Sequence, residues 1–338
     1  AAPPACSTSQ GRLMLLRSSP ARALGARWAS TAAADAPLVR LTRHPKGLVQ
    51  VTLARPSKMN ALSLPMFRSI QAAARELIDD KSVRAVVLHG DGRAFCAGLD
   101  VKAVMANPLS VKANIDELLH RPDGEVSNLA QDVGYLWRRI PVPVIAAIHG
   151  VCLGGGLQIA LGADMRIAAP ATKMSIMEAK WGLIPDMSAT VTLRELVPKD
   201  VAMELTMTGR VFEAEEALRL GLVTRLAADP LAEALSLAEQ IATRSPDATA
   251  AAKRLLHATY SEAADDARAL RLETELQRRL LLGWNQLACA ARGLGAPPPL
   301  QPGFRERGDT WDAEADEAAE AELLEMLGEE EEPVAARG

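Results

Sequence analysis

Two glycine-bearing turns hold the most suggestive chemistry in this sequence. The first is Phe95-Cys96-Ala97-Gly98-Leu99-Asp100 and the second is His149-Gly150-Val151-Cys152-Leu153-Gly154-Gly155-Gly156. Each follows an apolar run, so each can present backbone N–H groups at the end of a strand, and small residues let the backbone itself approach a ligand. One N–H from each turn on the same carbonyl oxygen would stabilise the negative charge that develops when a proton leaves the adjacent carbon. A helix starting at the glycines would add the positive end of its dipole to the second donor. Tight strand-to-helix packing explains a Gly-Gly-Gly turn equally well, so the neighbouring ionisable groups must decide.

Other reactive residue types have plainer readings. His149, before Gly150, is placed to bond local backbone, and His89, before Gly90-Asp91-Gly92, reads as a turn residue. Cys96 and Cys152 each follow an apolar residue and behave as small core fillers unless their pKa is lowered. Trp181 either lines a pocket or packs the core, the commoner outcome. The four cysteines show neither CxxC nor Cys/His ligand spacing, so a disulfide frame and a zinc site are both disfavoured.

Strand and helix signals alternate around these turns. Leu38 to Leu53 reads as a hairpin about Pro45-Lys46-Gly47, and the pattern from Met66 to Leu77 reads as a helix introduced by Pro65. Val83 to Leu88 and Val142 to Ile148 are short β-branched runs of buried parallel strands, the latter leading into a helix over Gly155 to Leu161 and a strand at Met165 to Ala168. This is βαβ logic with a parallel sheet. Beyond Pro198 the pattern is almost wholly helical: Asp200 to Thr208, Glu213 to Leu220, Pro230 to Arg244, Asp247 to Thr259 and Ser261 to Leu282 form an α-rich cap that ends before Pro297-Pro298-Pro299.

The 338 residues, 49% hydrophobic, can supply a substantial core, and no apolar run approaches the roughly 20 residues that span a bilayer. A net charge of −4 without a basic stripe argues against nucleic acid. The ends are unlike the middle. Up to Ala34 the chain carries Arg12, Arg17, Arg22 and Arg27, five serines and no acidic residue, a transit-peptide composition that implies import into the mitochondrial matrix. From Asp309 to Glu332 there are twelve acidic residues and no basic one, either a solvated tail or a docking arm that uses Trp311, Leu323, Leu324 and Leu327 on a larger mitochondrial assembly.

Taken together, Arg55-Pro56 with Asn60-Ala61-Leu62, Phe95 to Asp100, Gly154-Gly155-Gly156, Glu178 before Gly182-Leu183-Ile184-Pro185, and Leu205 to Arg210 with Ala217 to Leu222 resemble the enoyl-CoA hydratase/isomerase, or crotonase, superfamily over roughly Leu38 to Arg307. The resemblance implies an α/β fold: a crotonase (ClpP-like) spiral of ββα units with an α-helical C-terminal trimerisation region. With it go a spiral core over 38–228 and a trimerisation region over 229–307, between the leader over 1–37 and the acidic tail over 308–338 that composition marks off. It further implies homo- or hetero-trimers or hexamers, an acyl-CoA thioester as substrate and no separate cofactor. The N–H groups of Leu99 and Gly155 are then the oxyanion donors, while Lys58, Ala97, Gly98, Asp100 and Lys102 belong to the CoA cradle; the lysines are otherwise solvated surface charges.

The acid and base positions depart from the hydratase pattern. Where hydratases carry a first glutamate this chain has Gln158, and an amide can orient but cannot abstract a proton. The second position is Glu178, and Asp186 stands where hydratases usually have glycine. Dienoyl-CoA isomerases pair a glutamate and an aspartate at those two places, but with an aspartate in the place of Gln158. This assigns Glu178 as base, Asp186 as second proton carrier and Gln158 as a polar positioner; Asp186 could equally cap the helix after Pro185. Two functions follow. One is an enoyl- or dienoyl-CoA isomerase, with hydration ranked below it. The other is a crotonase-fold subunit kept for structure, with catalysis reduced or gone.

Overall fold

The computed structural model describes residues 37–104, 108–260, 266–281, 283–293 and 297–308. The leader up to residue 36 and the acidic tail from residue 309 therefore lie outside the described residues. The chain divides into Ala1–Ala36 and Pro37–Gly338, and only the second unit is described below.

Its chain opens on a hairpin, β1 (Val39–His44) and β2 (Leu48–Leu53), antiparallel across Pro45–Gly47. There follow α1 (Leu64–Asp79), β3 (Ala85–Gly90), α2 (Val101–Val104), α3 (Pro108–Leu119), α4 (Leu129–Arg139) and β4 (Val144–Ile148). The second glycine turn lies between β5 (Val151–Leu153) and α5 (Gly155–Leu161), ahead of β6 (Met165–Ala168) and β7 (Lys173–Ser175). The remainder comprises α6 (Ala189–Leu196), α7 (Lys199–Thr208), β8 (Phe212–Glu213), α8 (Ala214–Leu220), β9 (Arg225–Leu226), α9 (Pro230–Ala242), α10 (Pro246–Thr259), α11 (Asp266–Leu280) and α12 (Trp284–Gly293).

Two sheets result. The larger runs β1-β2-β3-β4-β6-β9, parallel after the opening hairpin; the smaller runs β5-β7-β8. Side chains alternate across a strand, and this alternation divides the larger sheet between two cores. Val86, Leu88, Val144, Ala146 and Ile148 face α1, α4 and α5, whereas Ala85, Val87, Ile145 and Ala147 face α9. On α9 the contact is made by Ala234, Ala238 and Ala242, spaced by four, whose small side chains let the helix lie close to the strands. This helix therefore covers the second face of the sheet, where an α-rich cap alone was expected.

Three local readings change. His89 is not a turn residue: it pairs with Thr52 in the β2–β3 ladder, is buried, and its Nε2 lies 3.0 Å from Thr52 Oγ1 and 2.8 Å from Gln50 Nε2. The strand β3 begins at Ala85 rather than Val83, because Arg84 N–H is already spent on the Gly47 carbonyl of the turn. The helix α4 had gone unread, although Asn128 and Gln131 form a capping box ahead of Leu129, Val133, Leu136 and Trp137 at helical spacing.

A buried ion pair fastens α10 to the sheet. Lys253 Nζ donates to Asp164 Oδ2 at 2.7 Å and to the carbonyls of Trp137 and Val142 at 3.1 Å, which uses all three of its protons. Asp164 also accepts from Val144 N–H at 2.7 Å, and His257 Nε2 lies 2.8 Å from its other oxygen. Burial opposes both charges. It holds the Lys253 ammonium below its ordinary pKa, while Lys253 and His257 outweigh it at Asp164 and keep that carboxyl low. Lys253→Ala takes the ammonium from a buried carboxylate that keeps only His257 and the Val144 N–H, and should lower the unfolding free energy by about 3 kcal/mol in urea denaturation. No helix among the described residues is long and apolar enough to cross a membrane.

Candidate active site

An isolated bridge to β5 brings the two glycine turns together. Cys96 forms a parallel bridge with Cys152: Cys96 N–H donates to the Val151 carbonyl at 3.1 Å and Leu153 N–H to the Cys96 carbonyl at 3.0 Å. Leu99 and Gly155 each stand three residues beyond the bridge. Each is preceded by a glycine of left-handed φ, Gly98 at 85° and Gly154 at 52°. The turns touch so closely that a Cβ on Gly98 would stand 2.7 Å from the Leu153 carbonyl oxygen and 3.7 Å from Gly155 N. Among the described residues neither the Leu99 nor the Gly155 N–H has a hydrogen-bond acceptor.

The Arg55-Pro56 and Asn60-Ala61-Leu62 motifs brace the first turn. Asn60 is wholly buried at φ 54°, and its amide donates to the carbonyls of Asp91, Ala94 and Phe95 while its oxygen accepts from Arg55 N–H. Leu62 N–H donates to the Gly98 carbonyl and Asp100 N–H to the Leu62 carbonyl, at 2.8 and 2.9 Å. Arg55 completes the brace with an ion pair to Asp100 at 2.8 Å. The other Asp100 oxygen accepts from Ala103 N–H at the start of α2. Burial works against the Asp100 charge, but Arg55 and Ala103 prevail, with help from Lys58, and its pKa lies below the ordinary value. Asp100 is thus a strut of the loop. Lys58 is exposed nearby, Ala97 is half-buried, and the side chain of Lys102 lies outside the described residues.

Opposite the turns, Glu178 begins a single 3-10 turn after β7 and is 8% exposed. Its Oε1 accepts from Gln158 Nε2 at 2.7 Å; its Oε2 is buried without a partner among the described residues. The wholly buried Gln158 amide has a single sensible orientation, because its oxygen accepts from Met187 N–H at 2.8 Å and Ala189 N–H at 3.3 Å. Burial pushes the Glu178 pKa above its ordinary value, and the Asp186 charge acts in the same direction, against the Gln158 hydrogen bond. Asp186 has an exposed surface, yet surrounding protein desolvates its carboxyl enough to raise that pKa as well.

Asp186 does not cap α6, because that helix begins at Ala189 behind Ser188, which stands at φ 74°. Trp181 does not pack the core: it is 61% exposed, beside the exposed Leu183 and Ile184, since the 3-10 turn ends at Gly182 and directs this segment outward. His149 bonds the Gly92 carbonyl at 3.0 Å, as its place before a turn implied. Cys96 donates to the Asn60 carbonyl, and burial pushes its thiol up to about 12 and that of Cys152 well above its ordinary value, so neither offers a thiolate. Among the described residues no cluster of His, Cys, Asp and Glu is arranged to hold a metal ion. Two contributors had escaped notice. Asn60 had been read only as part of a motif, and Gly134 of α4, on which Met187 and Ser188 rest, could be found only through the capping-box signal of that helix.

Comparison with known proteins agrees with this architecture. The family model described as Enoyl-CoA hydratase/isomerase matches residues 43–281, well over half of the sequence. The chain belongs to the enoyl-CoA hydratase/isomerase family of the crotonase superfamily. It is 33% identical over 234 residues to the enoyl-CoA hydratase EchA19 of Mycobacterium tuberculosis (strain ATCC 25618 / H37Rv), an alignment covering 69% of this chain and 84% of that protein. The crystal structure of an enoyl-CoA hydratase of Mycobacterium smegmatis superposes with a TM-score of 0.66 at 29% identity, over 77% of this chain and 96% of that one. An enoyl-CoA hydratase of Bacillus anthracis gives a TM-score of 0.68 at 28% identity, over 79% and 98%.

The raised Glu178 pKa has a consequence for stability. As pH rises, the unfolded chain releases this proton before the native state does, so the native state loses stability between the unfolded pKa and the higher native one. Glu178→Gln removes that loss. The variant should be the more stable protein at neutral pH, with the difference vanishing below the unfolded carboxylate pKa. Urea denaturation across pH checks this, and a difference that ignores pH would contradict it.

Proposed function

We propose that this chain is an acyl-CoA enzyme that moves the double bond of an enoyl- or dienoyl-CoA through a thioester enolate. The observation that carries the reading is the direct Gln158–Glu178 hydrogen bond, with Glu178 Oε2 buried and without a partner among the described residues. Hydration needs a water held and activated between two acid–base groups. Here one of the two is an amide, which cannot take up a proton at neutral pH, and its N–H is spent directly on Glu178. A double-bond shift needs only one basic oxygen and a stabilised enolate.

In this reading the thioester oxygen accepts from the N–H groups of Leu99 and Gly155, which have no other acceptor among the described residues, and charge develops there as the proton leaves. Glu178 Oε2 takes a proton from C2 of a 3-enoyl thioester. The electron pair delocalises onto the carbonyl oxygen, and the same carboxyl returns the proton at C4, leaving a conjugated 2-enoyl product. For a 3,5-dienoyl substrate the return is at C6, and Asp186 acts as the second proton carrier. The desolvation that raises Glu178 brings its pKa nearer the range useful for moving a proton both ways. A carboxylate oxygen kept buried and unpaired is costly, and that favours an enzyme over a subunit kept for structure.

The exposed Lys58 would meet CoA phosphates, while Ala97 and Gly98 offer main chain to the cradle and Asp100 fixes its shape. CoA travels with the substrate, so no separate cofactor is required. Exposed apolar residues of the helical second half, including Met203, Met207, Leu256 and Leu270, support assembly into trimers or hexamers. The arginine-rich leader without acidic residues supports a place in the mitochondrial matrix.

The test is a substrate panel on purified protein. It should isomerise 3-enoyl- or 3,5-dienoyl-CoA and hydrate 2-enoyl-CoA at least roughly 100-fold more slowly, the scale of one lost acid–base group. Glu178→Gln should lose isomerisation by a similar factor while its affinity for a saturated acyl-CoA changes little. The acid limb of the wild-type rate profile should sit above the ordinary glutamate range. Hydration outpacing isomerisation, or undiminished activity in the variant, would end this assignment.

A further inference from the structure

A second side chain beside the carboxylate is aimed at the same turn. Met187 is 6% exposed, and its thioether packs on the bare Cα of Gly155: a Cβ there would stand 2.5 Å from the Met187 sulfur and 2.9 Å from Leu62 Cδ1. Glu178 Oε1 occupies the preceding residue in the same way, 3.3 Å from where a Cβ of Gly154 would be. Carboxylate and thioether thus flank successive residues of one turn. The Met187 main chain is also pinned. Its N–H is held by Gln158 Oε1 at 2.8 Å, its carbonyl rests on Gly134 of α4, where any side chain would collide with it, and Ser188 follows at φ 74°. The loop cannot swing Met187 aside without breaking the hydrogen bond that also fixes Gln158 against Glu178.

We propose that Met187 determines specificity by closing the acyl pocket beside the oxyanion turn, so that the enzyme takes thioesters of short, unbranched acyl groups. This rests on the reading that the thioester carbonyl sits at Gly155 and Glu178 faces the adjacent carbon. An acyl chain leaving that carbonyl passes the carboxylate and then meets a wall formed by the Met187 thioether and Leu62, the latter wholly buried. A longer chain has to displace a side chain whose backbone has no slack, and overfilling a packed site is costly. Methionine fits this place because its unbranched, polarisable thioether fills the irregular space over a bare glycine.

The test compares 3-hexenoyl-, 3-octenoyl- and 3-dodecenoyl-CoA in the wild type and in Met187→Ala. The wild-type kcat/KM should fall at least roughly tenfold from the hexenoyl to the dodecenoyl substrate, the scale on which an apolar pocket discriminates chain length. The alanine variant should abolish most of that ratio. An unchanged ratio in the folded variant overturns the proposal. Should the variant fail to fold, calorimetry of the wild type with saturated acyl-CoA from butanoyl to dodecanoyl decides. Affinity that stops rising near hexanoyl supports the wall at Met187, and affinity that climbs steadily to dodecanoyl removes it. A wild type that binds with this cut-off yet isomerises none of the thioesters would sink the proposed reaction and leave the role of Met187 standing.

Discussion

One buried amide holds the candidate site in shape. Gln158 lies at 0% exposure on α5, with its oxygen committed to two main-chain N–H groups of the 187–189 loop and its nitrogen to Glu178. Three segments distant in sequence thereby share one set of hydrogen bonds: the helix after the glycines, the turn after β7, and the approach to α6. An amide suits this position because it donates and accepts at once. A carboxylate there would face the two N–H groups well but would set a second negative charge against Glu178. The amide thus ties the 187–189 loop, α5 and Glu178 into one hydrogen-bonded unit.

The two glycine turns depend on a simpler constraint, the parallel bridge at Cys96 and Cys152. A glycine of left-handed φ in each, Gly98 and Gly154, lets the two loops approach closely beyond that bridge. Little of this precision comes from the turns themselves. The first is held from outside by Asn60, which gathers three carbonyls, and by the Arg55–Asp100 pair beneath it. The larger sheet, buried on both faces by α1 and α4 on one side and α9 on the other, supplies the rigid background. The buried Asp164 is neutralised inside this framework by Lys253, whereas Glu178 Oε2 has no such partner among the described residues. The contrast between a fully partnered buried carboxylate and a half-partnered one is the electrostatic mark of the candidate site.

Much of this was legible in the sequence because it is local or periodic. The hairpin at Pro45–Gly47, the helix starting at Gly155 and the strand Met165–Ala168 follow from turn residues and the 2.0 and 3.6 periodicities, and they stand where those signals put them. The ordered set of motifs from Arg55 to Leu222 was enough to indicate the family. Local rules misplaced what depends on neighbours in space. His89 looked like a turn residue because glycines follow it, yet its ladder with Thr52 continues through it. Trp181 looked like core and is exposed, since the 3-10 turn from Glu178 sends the next residues outward.

Residue types and their order thus determined the fold class and marked the two glycine turns and Glu178 as candidates. Only the tertiary structure decided that the two turns meet at Cys96 and Cys152, that Gln158 turns its nitrogen to Glu178, that Asp100 is a strut, and that Met187 lies over Gly155. Each of these is a contact between segments tens of residues apart, fixed by packing and by the need to satisfy buried polar groups, and no local pattern in the chain encodes which segment will supply the partner.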